Sequence, residues 1–197
     1  MREPFNILVA GVGGQGNLVC GRVLAEAAIQ QGLRPVVGDT FGASRRGGSV
    51  LTHLRIGTRD WAPLIPQGEV DILLGLEPME ALRAAVEYAG KRTIALVSLT
   101  EVPTANVNSG ERVYPPLTKV SASLAEHCKQ VYMLDAESAL LRAGSPRALN
   151  SFLLGSLSAL TENPLSQDLI RKALYTTLGR DTINVTAFEE GVAALHQ

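Results

Sequence analysis

Residues 5–37 read FNILVAGVGGQGNLVCGRVLAEAAIQQGLRPVV, and the order of the parts in this stretch decides the fold. Phe5–Ala10 is an apolar run with β-branched members, which predicts a strand that ends on a glycine cluster. Beyond the cluster, apolar residues fall at Leu18, Val19, Val23, Leu24 and Ala27. That is the spacing of one helical face, running to Gln31 and stopped by Gly32. Arg34–Val37 predicts a second short strand. Strand, glycine turn, helix and strand together make the opening of a βαβ unit.

The turn GVGGQG, residues 11–16, contains G-x-G-x-x-G at Gly11, Gly13 and Gly16. In this context Gly11 permits a tight turn, Gly13 lets backbone approach a ligand, and Gly16 lets the helix pack closely on the sheet. Free N–H groups at the helix start favour an anion. Gly11, Gly13, Gly14, Gln15 and Gly16 are therefore candidate binding residues. A dinucleotide site also wants a ribose-binding carboxylate about 20 residues further on, and Asp39 lies 23 residues after Gly16. The alternative is that the glycines only solve packing between helix and strand. Gln15 is an unusual polar residue for a plain nicotinamide site.

Outward from this opening the strand–helix alternation continues. Ser49–Ile56 alternates, with Val50, Thr52, Leu54 and Ile56 on one face, and predicts a hairpin or edge strand. Ile72–Leu76 predicts a central strand, Met79–Ala89 a helix, and Thr93–Leu99 and Val131–Leu134 two further strands. Val102–Leu117, with Pro103, Gly110, Pro115 and Pro116, is a long connection or flap. From Ala136 on the chain reads as helical, with Asn150 and Ser166 as caps and a last helix Val185–Leu195 after Asn184. The expected fold class is α/β: a Rossmann-like, doubly wound, mostly parallel sheet with a helical C-terminal part, in one domain spanning residues 1–197.

Composition narrows the partners. Lys and Arg number 18 against 19 Asp and Glu, for a net charge of −1, and no basic surplus points to nucleic acid. No apolar run reaches the roughly 18–20 residues of a membrane-spanning helix, and the first strand is too short for a signal peptide's apolar core. A cytoplasmic protein is expected. Cys20 and Cys128 are the two cysteines, far apart and without C-x-x-C spacing. An iron–sulfur cluster needs about four thiolates, so this chain alone cannot build one.

Residues 40–48 read TFGASRRGG, two adjacent arginines beside flexible backbone. Forked guanidinium donors there suit a phosphate or a carboxylate, although a solvated surface loop reads equally well from these residues alone. Taken together, Gly11–Gly16 and Arg46-Gly47-Gly48-Ser49-Val50, running into a strand that ends at Gly57, resemble the gamma subunit of 2-oxoacid:ferredoxin oxidoreductases. Within that family the resemblance is strongest to the gamma-type subunit of the indolepyruvate enzymes. It extends to DILLGLEPMEA at residues 71–81, to Asn150 before an apolar helix, and to Asn184 before Phe188 and Gly191.

The resemblance implies a complex that decarboxylates an arylpyruvate or similar 2-oxoacid oxidatively, with coenzyme A and ferredoxin. Thiamine diphosphate and iron–sulfur clusters would be held by a larger partner subunit. The nearest match here to a Gly-Asp-Gly thiamine motif, Gly38-Asp39-Thr40, lacks the third glycine. By the same resemblance Gly13, Gly14, Gln15, Gly16, Arg46 and Gly47 correspond to a region linked to coenzyme A at the subunit interface. Arg45 departs from relatives that carry an uncharged or acidic residue there, which puts the weight on Arg46. The competing function is a free-standing Rossmann-like nucleotide-binding protein or NAD-dependent dehydrogenase that uses Asp39.

Other polar residues carry less. His53 sits on an alternating strand without a Ser or Asp partner at catalytic spacing, and His127 and His196 lie at helix ends. Glu77 and Asp135 end strands, where a carboxylate serves either a ligand or a helix cap. Trp61, before Ala62-Pro63-Leu64-Ile65, reads as part of an exposed apolar patch or as a core residue.

Overall fold

The computed structural model describes residues 2–42, 47–103, 107 and 113–195. Strand β1 (Phe5–Val12) is buried along its whole length. The glycine turn leads into helix α1 (Asn17–Gln30), then strands β2 (Arg34–Phe41) and β3 (Ser49–Gly57). Strand β4 (Ile72–Gly75), helix α2 (Pro78–Tyr88) and strand β5 (Ile94–Ser98) follow, then helix α3 (Leu117–His127) and strand β6 (Gln130–Leu134). The rest is helical: α4 (Ala136–Ala143), a 3-10 turn at Pro146–Ala148, α5 (Leu149–Ala159), α6 (Gln167–Leu178) and α7 (Thr182–Ala194).

The six strands form one sheet in the order β2-β3-β1-β4-β5-β6. The pairs β1–β4, β4–β5 and β5–β6 are parallel, whereas β3 is antiparallel to both β1 and β2. This corrects the expected βαβ opening. The second strand runs in the direction of the first but does not touch it, because β3 lies between them in register from Phe5↔Ile56 to Val12↔Ser49. It also corrects the edge-strand alternative: β3 is interior, and β2 is the edge.

Being interior, β3 is covered on both faces. Leu54 and Ile56 join the core beneath α1, while His53 and Arg55 face the segment that follows the strand. Its polar side chains Thr52, His53 and Arg55 are therefore buried and each has a hydrogen-bond partner. The Thr52 hydroxyl donates to Asp39 at 2.6 Å, and Arg55 donates to Asn6 Oδ1 and to the Ala62 and Leu64 carbonyls.

Alternate residues of the central strands feed two cores, one on each face of the sheet. Ile7, Val9, Ile72, Leu74 and Leu96 pack with α1 and the C-terminal helices. Leu8, Ala10, Leu73, Ala95 and Val97 pack under α2 and α3. From β1 the chain winds to the β2 side, and β4 to β6 lie on the other side. The carboxyl ends of β1 and β4 therefore flank the point where the winding reverses, the usual ligand crevice of an open α/β sheet.

Helix α5 is buried from Leu149 to Ser158 and is the axis of the C-terminal part. It crosses α7 at contact distance because two glycines leave out their Cβ atoms. A Cβ on Gly155 would collide with the Phe188 carbonyl, and one on Gly191 with the Phe152 carbonyl. Ser156 Oγ bridges the crossing, bonding to the Gly191 and Phe152 carbonyls at 2.9 and 3.2 Å. Arg92 pairs with Asp71 at 2.7 Å and with Glu69 at 2.6 Å across the amino edge of the sheet.

The expected helix starts change. Asn150 lies inside the first turn of α5 rather than capping it, and Asn184 lies inside α7, whose cap is Asp181, accepting from the Asn184 N–H at 2.7 Å. Ser166 does stand at the start of α6, but its side chain makes no capping bond. Because the α5–α7 crossing meets backbone rather than a movable side chain, Gly191→Ala is expected to destabilise the chain by about 3 kcal/mol. A thermal melt should show the midpoint lowered by about 6–12 °C.

Candidate functional site

The glycine turn sits at the winding reversal, and amides of this chain hold it from several sides. Gly13 N–H donates to the Gly48 carbonyl at 2.8 Å, Gly47 N–H returns to the Gly13 carbonyl at 3.4 Å, and Gln15 N–H closes onto the Val12 carbonyl at 3.0 Å. The Gln15 side chain turns inward. Its Oε1 accepts from Val12 N–H at 2.7 Å and its Nε2 donates to the Leu76 carbonyl at 3.2 Å, so the carboxamide spans the crevice between β1 and β4. Asn17 Nδ2 reaches the Val50 carbonyl at 2.8 Å.

From the helical part, Asn150 Nδ2 donates to the Gln15 carbonyl at 3.1 Å, and its Oδ1 accepts from the Cys20 thiol at 3.3 Å. The asparagine that reads as a helix cap is instead the tie between α5 and the turn. Burial pushes the Cys20 thiol up to about 12 and the Cys128 thiol to about 11, so both stay protonated at neutral pH. Burial without a cation nearby opposes thiolate formation, and a thiol in that state is a poor metal ligand. The described residues hold no group of three or more His, Cys, Asp and Glu side chains fit for a metal ion.

Of the sequence-derived candidates, Gly11, Gly13, Gly14, Gln15, Gly16 and Gly47 come together around this turn. Gly11 is boxed in: an added Cβ would lie 2.9 Å from Gln15 Oε1 and from Asn17 Oδ1. Gly16 caps α1 in a left-handed conformation, φ 93°, and its missing Cβ makes room for the Asn150 amide. Gly14, at φ 109°, and Gly47, at φ 72°, have nothing within 4 Å of that position. They face open space. Among the described residues, no acceptor meets the N–H groups of Gly14, Gly16, Asn17 and Leu18. Arg45 and Arg46 lie outside the described residues, as does His196.

Asp39 is not placed for a dinucleotide. It sits on the edge strand, one strand removed from β1, level with Thr52 whose hydroxyl it accepts. Glu77 and Asp135 both serve as caps. Asp135 accepts from Ser138 N–H and Oγ at the start of α4. Glu77 accepts from Glu80 N–H at 2.8 Å and from the Tyr114 hydroxyl at 2.5 Å. Burial raises the Glu77 carboxyl above its ordinary range, and the Tyr114 bond opposes that rise. A small cavity of about 180 Å³ opens beside this pair, lined also by Met79, Arg83 and Pro115.

Trp61 is half-buried, its ring under the Arg59 guanidinium at 4.3 Å and near that of Arg55 at 5.6 Å, while neighbouring Leu64 is exposed. His53 is fully buried. Its Nδ1 accepts from Ile65 N–H at 3.3 Å, which puts the proton on Nε2, and the ring meets Tyr88 edge to face. His127 lies in the last turn of α3.

A family model described as pyruvate ferredoxin/flavodoxin oxidoreductase matches residues 6–194. The chain belongs to that family. The indolepyruvate oxidoreductase subunit IorB of Thermococcus kodakarensis is 34% identical over 195 residues, covering 98% of this chain and 96% of that one. Among solved structures, the family's fold recurs in the keto/oxoacid ferredoxin oxidoreductase gamma subunit of Geobacter sulfurreducens. It has a TM-score of 0.69 at 22% identity, covering 98% of both chains. The 2-oxoglutarate:ferredoxin oxidoreductase of Magnetococcus marinus, solved with 2-oxoglutarate, coenzyme A and succinyl-CoA, gives 0.74 at 21% identity. There the match takes all of this chain but 32% of the other, so the same fold is one part of a longer polypeptide. No helix among the described residues is long and apolar enough to cross a membrane.

The buried imidazole supplies a pH test. Burial lowers its pKa below the ordinary 6.5, with Asp39 and Glu87 pulling the other way. The unfolded chain then binds more protons in that window, so the stability His53 contributes is complete above about pH 6.5 and falls as pH drops towards the folded pKa. An NMR titration should place the midpoint of the His53 ring below the ordinary 6.5. A His53 midpoint at or above 6.5 would contradict the buried, neutral assignment.

Proposed function

We propose that this chain is the gamma-type subunit of a 2-oxoacid:ferredoxin oxidoreductase that acts on indolepyruvate or a related aryl 2-oxoacid. Residues 1–197 serve as one gamma-type domain. The observation that carries this reading is end-to-end correspondence: 98% of this chain matches 96% of an archaeal indolepyruvate oxidoreductase subunit. The larger partner subunit holds thiamine diphosphate and the iron–sulfur clusters, passes electrons to ferredoxin, and performs the decarboxylation in the cytoplasm. This chain contributes a face. Gly13, Gly14 and Gly16 at the glycine turn, with Gly47 beside them, border the coenzyme A site at the subunit interface, and Arg46 contributes its charge to that site. Support comes from the N–H groups at the start of α1 that no acceptor among the described residues meets, which suit a phosphate.

The competing dinucleotide reading loses its two supports. Asp39 is displaced by the inserted strand and engaged by Thr52, and the Gln15 carboxamide spans the crevice. Adding NAD to the purified chain should leave its melting temperature unchanged, whereas a bound ligand at 100 times its Kd would stabilise by about 2.7 kcal/mol.

Purified alone, the chain is expected to show no 2-oxoacid oxidation with an artificial acceptor. Co-expressed with its genomic neighbour, it should co-purify with a brown, thiamine-containing subunit that oxidises indolepyruvate. Turnover by the isolated chain would overturn the proposal. In the assembled enzyme, Arg46→Ala should remove a charge-assisted hydrogen bond of roughly 1.5–3 kcal/mol. That is about a tenfold to hundredfold rise in the KM for coenzyme A, with Arg45→Ala near wild type.

A further inference from the structure

In a nucleotide-binding glycine turn, glycines are present so that a ligand can come close. Here two of the three motif glycines face side-chain amides of the chain itself. Gly11 leaves room for Gln15 Oε1, and Gly16 for Asn150 Nδ2. Gln15 is moreover the residue whose two amide atoms reach both sides of the winding reversal, Val12 N–H on β1 and the Leu76 carbonyl at the end of β4. A carboxamide can accept at one end and donate at the other, which is what these two opposed backbone groups require.

We propose that Gln15 is a positioning residue: its carboxamide sets the glycine turn from within, so that Gly14, Gly16 and the start of α1 keep the outward shape that coenzyme A meets, and the side chain makes no ligand contact itself. This rests on reading the turn as part of the coenzyme A face. It revises the expectation that Gln15 is a binding residue. Glutamate would keep the acceptor for Val12 N–H but set an anionic oxygen against the Leu76 carbonyl, and alanine would remove both bonds. Either change frees the turn to shift without touching the outer face.

The test uses the assembled enzyme with its partner subunit and coenzyme A as the varied substrate, comparing Gln15→Ala, Gln15→Glu and Leu18→Asp. Leu18 is 46% exposed beside the turn and takes no part in the strap. Both Gln15 variants are expected to raise the KM for coenzyme A about tenfold or more, as misplacement of a positioning element does, with kcat at saturation unchanged. In Gln15→Ala the Val12 amide should also exchange its hydrogen faster. Wild-type KM in both Gln15 variants, with a raised KM in Leu18→Asp, overturns the inference and leaves the coenzyme A face standing. Wild-type KM in all three overturns both. A raised KM with unchanged Val12 exchange would make Gln15 a direct contact and equally sink the proposal. Failure of both Gln15 variants to fold would assign the residue to folding instead.

Discussion

Strand β3 is the constraint on which the rest depends. By pairing antiparallel with β1 over eight residues it occupies the side of the central strand that a second parallel strand would otherwise take. The backbone of β1 is then satisfied by β3 on one side and β4 on the other. Consequently β2 becomes the edge, Asp39 moves away from the glycine turn, and Gly47 and Gly48 at the start of β3 meet that turn. The contact of Gly13 with Gly47 and Gly48 exists because the hairpin ends there. One inserted strand thus removes a ribose site and brings Gly47 and Gly48 against the glycine turn.

Much of this was legible in the residues. The strand, glycine and helix order of residues 5–31 located β1 and α1 to within a residue or two at each end, because the short run's length, β-branched members and closing glycines mark a strand and the longer 3.6-residue stripe marks a helix. Pairing order was not legible. The alternation in Ser49–Ile56 tells which side chains share a face, but nothing local says whether a strand lies at an edge or inside. Burial of the polar residues was equally illegible: Thr52 on one face and His53 and Arg55 on the other are all buried, and their hydrogen-bond partners lie 7 to 49 positions away. Asn150 misled for the same reason. An asparagine before an apolar helix reads as a cap, and only tertiary structure shows its amide spent on a turn 135 residues earlier.

The described part of the turn is held by neutral groups. Carboxamides, peptide groups and a protonated thiol make its contacts, while ion pairs such as Arg92–Asp71 and Arg142–Glu190 lie elsewhere. Neutral hydrogen bonds are little affected by salt, whereas exposed ion pairs are screened. The geometry of the turn is therefore insulated from ionic strength even if the encounter with a charged ligand is not. The α5–α7 crossing has the same character, glycine against carbonyl with a serine across it. Asn184 accepts from Ser151 on α5 and ties that helix to the end of α6.

The outer edge of the sheet bears on how the chain fares while unpaired. Strand β2 carries Pro35, which has no N–H to give, and the charged Asp39, and both obstruct the addition of another strand. A subunit synthesised faster than its partner spends time alone at rising concentration, and an uncapped eight-residue edge is where identical chains would begin to stack. With that edge blunted, stacking of surplus chain through β2 is disfavoured, which relaxes the need to produce the subunits in strict step.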